Sequence, residues 1–251
     1  MKIISITNQK GGVGKTTTAV NLAACLAAQK KRVLLIDLDP QGNATTGVGV
    51  FKKEALPTVY QLLIGKATFD EVRLKTEFGF DLMPANRELS GAEVELVELE
   101  NREMRLAQAL QNVRDSYDFV LIDCPPALNM LTLNGLVASD AVLIPMQCEY
   151  YALEGLSDLV ETLRKIKKLN ARLEIEGLLR TMFNPQGVLN QQVSNELEKY
   201  FPKKIYQTII PRNVRLAEAP SYGKPVIFYD KSSKGAKAYM DLAKEIIRRK
   251  K

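Results

Sequence analysis

The chain has 251 residues, 46% apolar and 25% charged, which suits one large α/β domain over 1–251 without a second core. It contains no histidine, which excludes imidazole acid–base and nucleophilic chemistry and leaves carboxylates, lysines, metal and backbone for any hydrolysis. No run approaches 18 apolar residues, and Cys25, Cys124 and Cys148 form no paired motif, so a membrane span, a disulfide framework and a zinc or iron–sulfur site are unexpected.

The first strand is expected at Ile3–Ile6, too close to Met1 for a signal peptide to precede it, and a reducing cytoplasm follows as the expected location. Directly after it comes Lys10-Gly11-Gly12-Val13-Gly14-Lys15-Thr16-Thr17, and then an Ala/Leu-rich helix from Thr16 to Gln29. A buried strand, a glycine-rich turn and a helix start make a phosphate cradle. The glycines let backbone N–H groups point inward, and the helix N-terminus adds its positive dipole end. Lys15 would reach the β- and γ-phosphates of a nucleotide, and the Thr16 hydroxyl would take a coordination site on Mg²⁺. A strict P-loop has glycine at position 9, but this chain has Gln9, and a second lysine, Lys10, stands at the loop's mouth. Five residues before Lys15, that lysine is badly placed to fold back on the same phosphates. It is expected to project across the nucleotide.

Further along, 32–38 (RVLLIDL) reads as a buried strand, 51–80 as a variable stretch with a short helix near 59–64, and 80–84 as a strand. A charged helix is expected over 93–114, strands at 119–123 and 141–145, and a helix at 153–168. A strand at 173–182, a helix at 190–200, a strand at 205–210 and a closing helix at 233–249 complete the pattern. Strands alternating with helices predict βαβ units and a mainly parallel twisted sheet flanked by helices, with ligands at the strands' carboxyl ends.

Two carboxylate motifs fall at such ends. Asp123 closes FVLID ahead of Cys124-Pro125-Pro126, the Walker B arrangement for holding Mg²⁺, and the segment 127–134 beyond the prolines could sense the γ-phosphate. In Asp37-Leu38-Asp39-Pro40-Gln41-Gly42, alternation puts the two aspartates on one side of the strand. Either could orient an attacking water, both could hold waters of Mg²⁺, and either could instead cap a turn.

Charge is uneven. From Lys203 onward there are 13 Lys and Arg against four Asp and Glu, whereas the first 202 residues hold 22 against 25. The basic end is a candidate polyanion surface through Lys203, Lys204, Arg215, Lys231, Lys234 and Lys237, of which Lys234 and Lys237 share a helix face.

The KGGxGKT pattern resembles the deviant Walker A P-loop NTPases, which implies an ATP-dependent sandwich dimer with Lys10 contacting the nucleotide of the partner subunit. Together with DLDPQGNATTG, LIDCPP, PMQCEYYALEGL and IPRNVRLAEAPSYGKPV, it makes the whole chain resemble the ParA/Soj chromosome-partitioning ATPases. The resemblance implies that Lys10 and Lys15 serve ATP across and within the subunit, and that Asp39 positions the water. Mg²⁺ then falls to Thr16, Asp39 and Asp123, and the adenine lies near Asn184, Pro211 and Asn213, with residues 10–17 around the phosphates. It also implies non-specific binding of double-stranded DNA through Arg215, a nucleoid-associated location, and a ParB-type partner. With no glutamine or arginine finger evident, intrinsic turnover is expected to be slow and partner-stimulated. Relatives often carry a DNA-contacting arginine where this chain has Gln186. The alternative is a MinD-like division-site ATPase recruited to membrane by an amphipathic end, for which 240–251 has the spacing but lacks a bulky aromatic.

Overall fold

Burial on both faces drives the strands together. In the computed structural model, which describes residues 1–249, the strands are β1 (Lys2–Ile6), β2 (Val33–Asp37), β3 (Leu74–Lys75), β4 (Asp81–Met83), β5 (Phe119–Asp123), β6 (Ala141–Met146) and β7 (Glu174–Arg180). They form one sheet in the order β3-β4-β2-β5-β1-β6-β7, parallel throughout except for the short antiparallel β3–β4 pair. β2, β5 and β6 are buried at every position, as continuous apolar runs in a parallel sheet should be.

The α-helices are α1 (Lys15–Ala28), α2 (Asn43–Gly47), α3 (Val59–Leu63), α4 (Phe69–Val72), α5 (Leu89–Glu95), α6 (Arg105–Ala109), α7 (Met130–Ala138), α8 (Ala152–Ile166), α9 (Val188–Tyr200), α10 (Val214–Glu218), α11 (Val226–Tyr229) and α12 (Lys234–Arg249). One sheet face is covered by α1 and α12, the other by α3, α5, α6 and α7, and the β6–β7 side by α8 and α9. α12 buries Tyr239, Leu242, Ala243 and Ile246 in the same core as α1, each large apolar side chain among them contributing about 1.5–3 kcal/mol. The connection after β1 runs one way along the sheet, to β2, and the connection after β5 runs the other way, to β6, which opens a crevice at the carboxyl ends of β1 and β5.

Two expectations change. The stretch 93–114 is not one helix: α5 ends at Glu95, a 3₁₀ turn covers Leu96–Glu98, and the helix resumes at α6. Glu93, Glu95, Glu98 and Glu100 crowd this stretch, and Asn101 takes a left-handed conformation (φ 53°) that ends helical runs. The segment 205–210 meets β7 at one isolated parallel bridge, Ile205 with Leu178, and a second joins Pro211 to Phe183 just beyond it, so it is no strand. Its middle amides, Gln207 and Thr208, donate instead to the Glu245 carboxylate at 2.9 Å each. Within 127–134, the chain enters α7 at Met130, where Asn129 caps the helix by accepting from the Thr132 amide.

Candidate functional site

The loop between β1 and α1 needs glycine at two places. Gly12 (φ 74°) and Gly14 (φ 87°) sit in the left-handed region that side chains disfavour. A Cβ at Gly11 or Gly12 would point into open space, so the loop presents backbone to a hollow that a phosphate chain fits. Lys15 is buried there, its Nζ donating to the Lys10 carbonyl at 3.1 Å. Burial pulls its pKa down, while Asp123 and Asp39 partly restore it. The loop is braced from outside, with Thr181 Oγ1 donating to the Val13 carbonyl at 2.8 Å and Gln147 Nε2 to that of Gly12 at 3.3 Å.

Asp37 and Asp123 are register partners on the adjacent strands β2 and β5, and both are fully buried. Their fates differ. Asp37 accepts from the Thr45 amide (2.8 Å) and hydroxyl (2.7 Å) and from the Asp39 amide (3.1 Å), so it ties α2 to the sheet. Neither carboxylate oxygen of Asp123 has a hydrogen-bond partner. Burial, and then the neighbouring Asp37, push the Asp123 pKa well up, against the weaker opposing pull of Thr16 and Lys15. A buried, orphaned carboxylate beside a lysine and a threonine is a donor set that a divalent cation completes. Asp39 lies beyond the end of β2, half-buried, with one oxygen accepting from the Gln41 amide at 2.9 Å.

Lys10 turns away from the hollow. Its Nζ lies 2.6 Å from Glu149 in the loop after β6, and its amide donates to Asn8 Oδ1. Beside the loop lies a cavity of about 360 Å³ lined by Gly14, Thr17, Met182, Pro211, Asn213 and Tyr239. Asn213 Oδ1 is buried there without a partner. Asn184 lines a separate cavity of about 220 Å³ with Gln147, Glu149, Asn190 and Arg212, and this cavity shares Met182 and Arg212 with the first. The wall supplied by Thr181, Met182, Leu216 and Tyr239 escaped the sequence reading. The one available signal was the Thr-Met-Phe end of an apolar strand, where Met182 adopts a positive φ of 48°.

The basic residues divide. Arg215 sits on α10, Lys231 just precedes α12, and Lys234 and Lys237 lie at the start of that helix. Arg215 is doubly compensated, with Nη1 2.8 Å from Glu218 and Nε 3.4 Å from Asp230. Lys204 is 3.8 Å from Glu174, the first residue of β7, and its neighbour Ile205 accepts at its carbonyl from Arg249, at the far end of α12. About 22 Å of helix therefore separates Lys203 and Lys204 from Lys234.

Residues 1–175 match the family described as AAA domain. The chain is 57% identical over 247 residues to the sporulation initiation inhibitor protein Soj of Bacillus subtilis, covering 98% of each chain. It is 51% identical over 250 residues to the chromosome partitioning protein ParA of Myxococcus xanthus, covering 99% of this chain and 88% of that one. Among solved structures, a protein from Mycobacterium smegmatis described as cobyrinic acid a,c-diamide synthase, with bound ATP analogue and magnesium, superposes with a TM-score of 0.87. It is 34% identical, with 99% of this chain and 95% of that one covered. A glycine loop bracketed by a buried lysine and an orphaned aspartate, on a sheet of this order and at this identity, makes the chain a member of the ParA/Soj family of chromosome-partitioning ATPases.

Proposed function

We propose that this protein hydrolyses ATP to ADP and phosphate, as one ATPase domain over 1–251, in the service of chromosome or plasmid partitioning. The observation that carries the reading is the orphaned Asp123 carboxylate facing a buried Lys15 at the glycine loop. Residues 10–17 wrap the phosphates, Lys15 neutralises their charge, and Thr16 and Asp123, with Asp39, hold Mg²⁺. That ion supplies charge neutralisation at the phosphoryl oxygens. Asp39, free of the bonds that occupy Asp37, orients the attacking water. Phosphoryl transfer asks for positioning and electrostatics rather than a strong base, which suits a chain without histidine. The cavity at Pro211 and Asn213 receives the adenine, with Asn184 at its margin.

In the same reading two ATP-loaded subunits pair, Lys10 leaves Glu149 to reach the partner's nucleotide, and the paired subunits bind duplex DNA without sequence preference through Arg215 and the α12 lysines. A ParB-type partner accelerates a slow intrinsic turnover, and the protein is cytoplasmic and nucleoid-associated. The MinD-like alternative is disfavoured by the apolar face of α12, which packs on the core instead of standing free for a membrane. Among the described residues no helix is long and apolar enough to cross a membrane. The test is sizing with ATP, ADP and no nucleotide, with and without a random-sequence duplex. A dimer in ATP alone, and DNA retention that ATP strengthens, are expected, and a single species with the same retention in all conditions would sink the reading.

A further inference from the structure

Among the described residues, unpaired positive charge gathers at an end of the fold away from Arg215. The last turn of α8, the loop after it and the loop after α9 bring Arg164, Lys167, Lys168, Arg172 and Lys203 to one end of the fold, all exposed. Arg164 and Lys167, three apart on one helix face, line a cavity of about 350 Å³ together with Lys204 and Glu174. The acids nearby are already engaged: Glu161 by Lys165 (3.0 Å), Glu196 by Lys199 (3.4 Å), Glu198 by Arg180 (2.9 Å) and Glu174 by Lys204 (3.8 Å). Among the described residues, none of Arg164, Lys167, Lys168, Arg172 and Lys203 has a carboxylate within 4.0 Å. A complement of the α8 dipole accounts for one or two cations in the last turn, not for five contributed by three segments.

We infer that this end of the fold is a second surface for the phosphate backbone of duplex DNA, distinct from α10. Long, exposed, unpaired cations around a shallow hollow neutralise phosphates without reading bases, which gives affinity without sequence preference. The two surfaces lie at opposite ends of α12, so one subunit holds two duplex segments, or two turns of a bent one, with the nucleotide site beside only the α10 surface. Binding at the α8 end is accordingly independent of nucleotide.

The test uses the full-length double variant Lys167→Glu/Lys168→Glu, with Lys167→Ala/Lys168→Ala as the milder form. Both positions are exposed and outside the nucleotide site, so ATP turnover should be unchanged. Affinity for a fluorescent random-sequence duplex is measured across a salt series, with ATP and Mg²⁺ and with no nucleotide. Losing two phosphate contacts should flatten the log–log salt dependence by about 1.8, at roughly 0.9 per phosphate, equally in both nucleotide states. A tethered duplex should capture a second, labelled duplex through the unaltered protein and fail to do so through the variants. Unchanged affinity and slope in both variants would overturn the second surface, as would tighter retention on anionic vesicles or RNA than on duplex DNA. Arg215→Glu, run in parallel, reports on the α10 surface alone, so the two surfaces succeed or fail separately.

Discussion

Lys10 Nζ lies 2.6 Å from Glu149 Oε2 of the same chain, with both side chains nearly half exposed. An exposed pair of this kind contributes about 0–1 kcal/mol, so the lysine can be traded to a stronger anion at little cost. Lys10→Ala should therefore keep most of the ATP affinity and lose the ATP-dependent dimer. Lys15→Ala removes a buried charge from the phosphate hollow and should abolish binding. Calorimetric titration and sizing of the two variants separate these outcomes, and a persisting ATP dimer in Lys10→Ala would remove the cross-subunit role.

Asp39→Ala leaves Lys15, Thr16 and Asp123 in place. ATP should still bind while phosphate release falls by about 100-fold, the scale of losing one positioned catalytic group. A long-lived ATP-bound dimer should accumulate. Asp37 is no substitute, because its oxygens are engaged by Thr45 and the Asp39 amide; wild-type turnover in Asp39→Ala would reassign the water to another group.

Asp123 has a folded-state pKa raised above its ordinary 3.8 by burial and by Asp37. Between the ordinary and the raised value the folded protein binds more protons than the unfolded one, so without metal and nucleotide stability should fall as pH rises through that window. Asp123→Asn should flatten that decline and raise the melting temperature at neutral pH in EDTA by a few degrees, on the order of 1 kcal/mol, while abolishing ATP hydrolysis. A melting profile against pH that matches the unaltered protein would contradict this.

Arg215 meets two carboxylates, which leave its surroundings net negative. Arg215→Glu should remove ATP-dependent DNA binding and spare the dimer. Glu218→Gln should strengthen it about three-fold, because an exposed ion pair of less than about 1 kcal/mol no longer competes with phosphate. Gln186→Arg should add a modest gain if that exposed loop position faces the duplex. Fluorescence anisotropy at fixed salt checks all three.

Gly235 backs two residues, Leu216 and Asn213, that line the cavity of about 360 Å³ proposed for the adenine. A Cβ there would lie 2.6 Å from Leu216 Cγ and 3.0 Å from Asn213 Oδ1. Gly235→Ala should displace both and weaken ATP binding by about 1–3 kcal/mol, with little change in turnover at saturating ATP. Undiminished affinity would show that the cavity wall yields freely.

The glycine loop and the Asp123 strand end were legible because their chemistry is local: a phosphate cradle needs these residue types at fixed spacing beside a strand. The mainly parallel sheet followed from apolar runs alternating with helical ones. What stayed hidden was assembled by the tertiary fold. The Pro211–Asn213 cavity joins the segment after β7, α10 and α12 to a loop near the start of the chain, and no periodicity announces such a meeting. Equal-looking aspartates at 37 and 39 were separable only once Thr45 had turned back to claim the first. The basic residues from Lys203 onward formed one group by proximity along the chain, yet the sheet edge and α12 carry them to two ends.

α12 begins where Gly235 abuts Asn213 and ends where Arg249 clasps the Ile205 carbonyl and Glu245. It is thus a strut about 24 Å long, footed at one end beside the Pro211–Asn213 cavity and at the other in the basic end of the sheet. One side chain, Arg249, ties the last turn of α12 both to the segment beside β7 and to the carboxylate that holds the Gln207 and Thr208 amides, so Arg249→Ala loosens three segments through a single lost guanidinium.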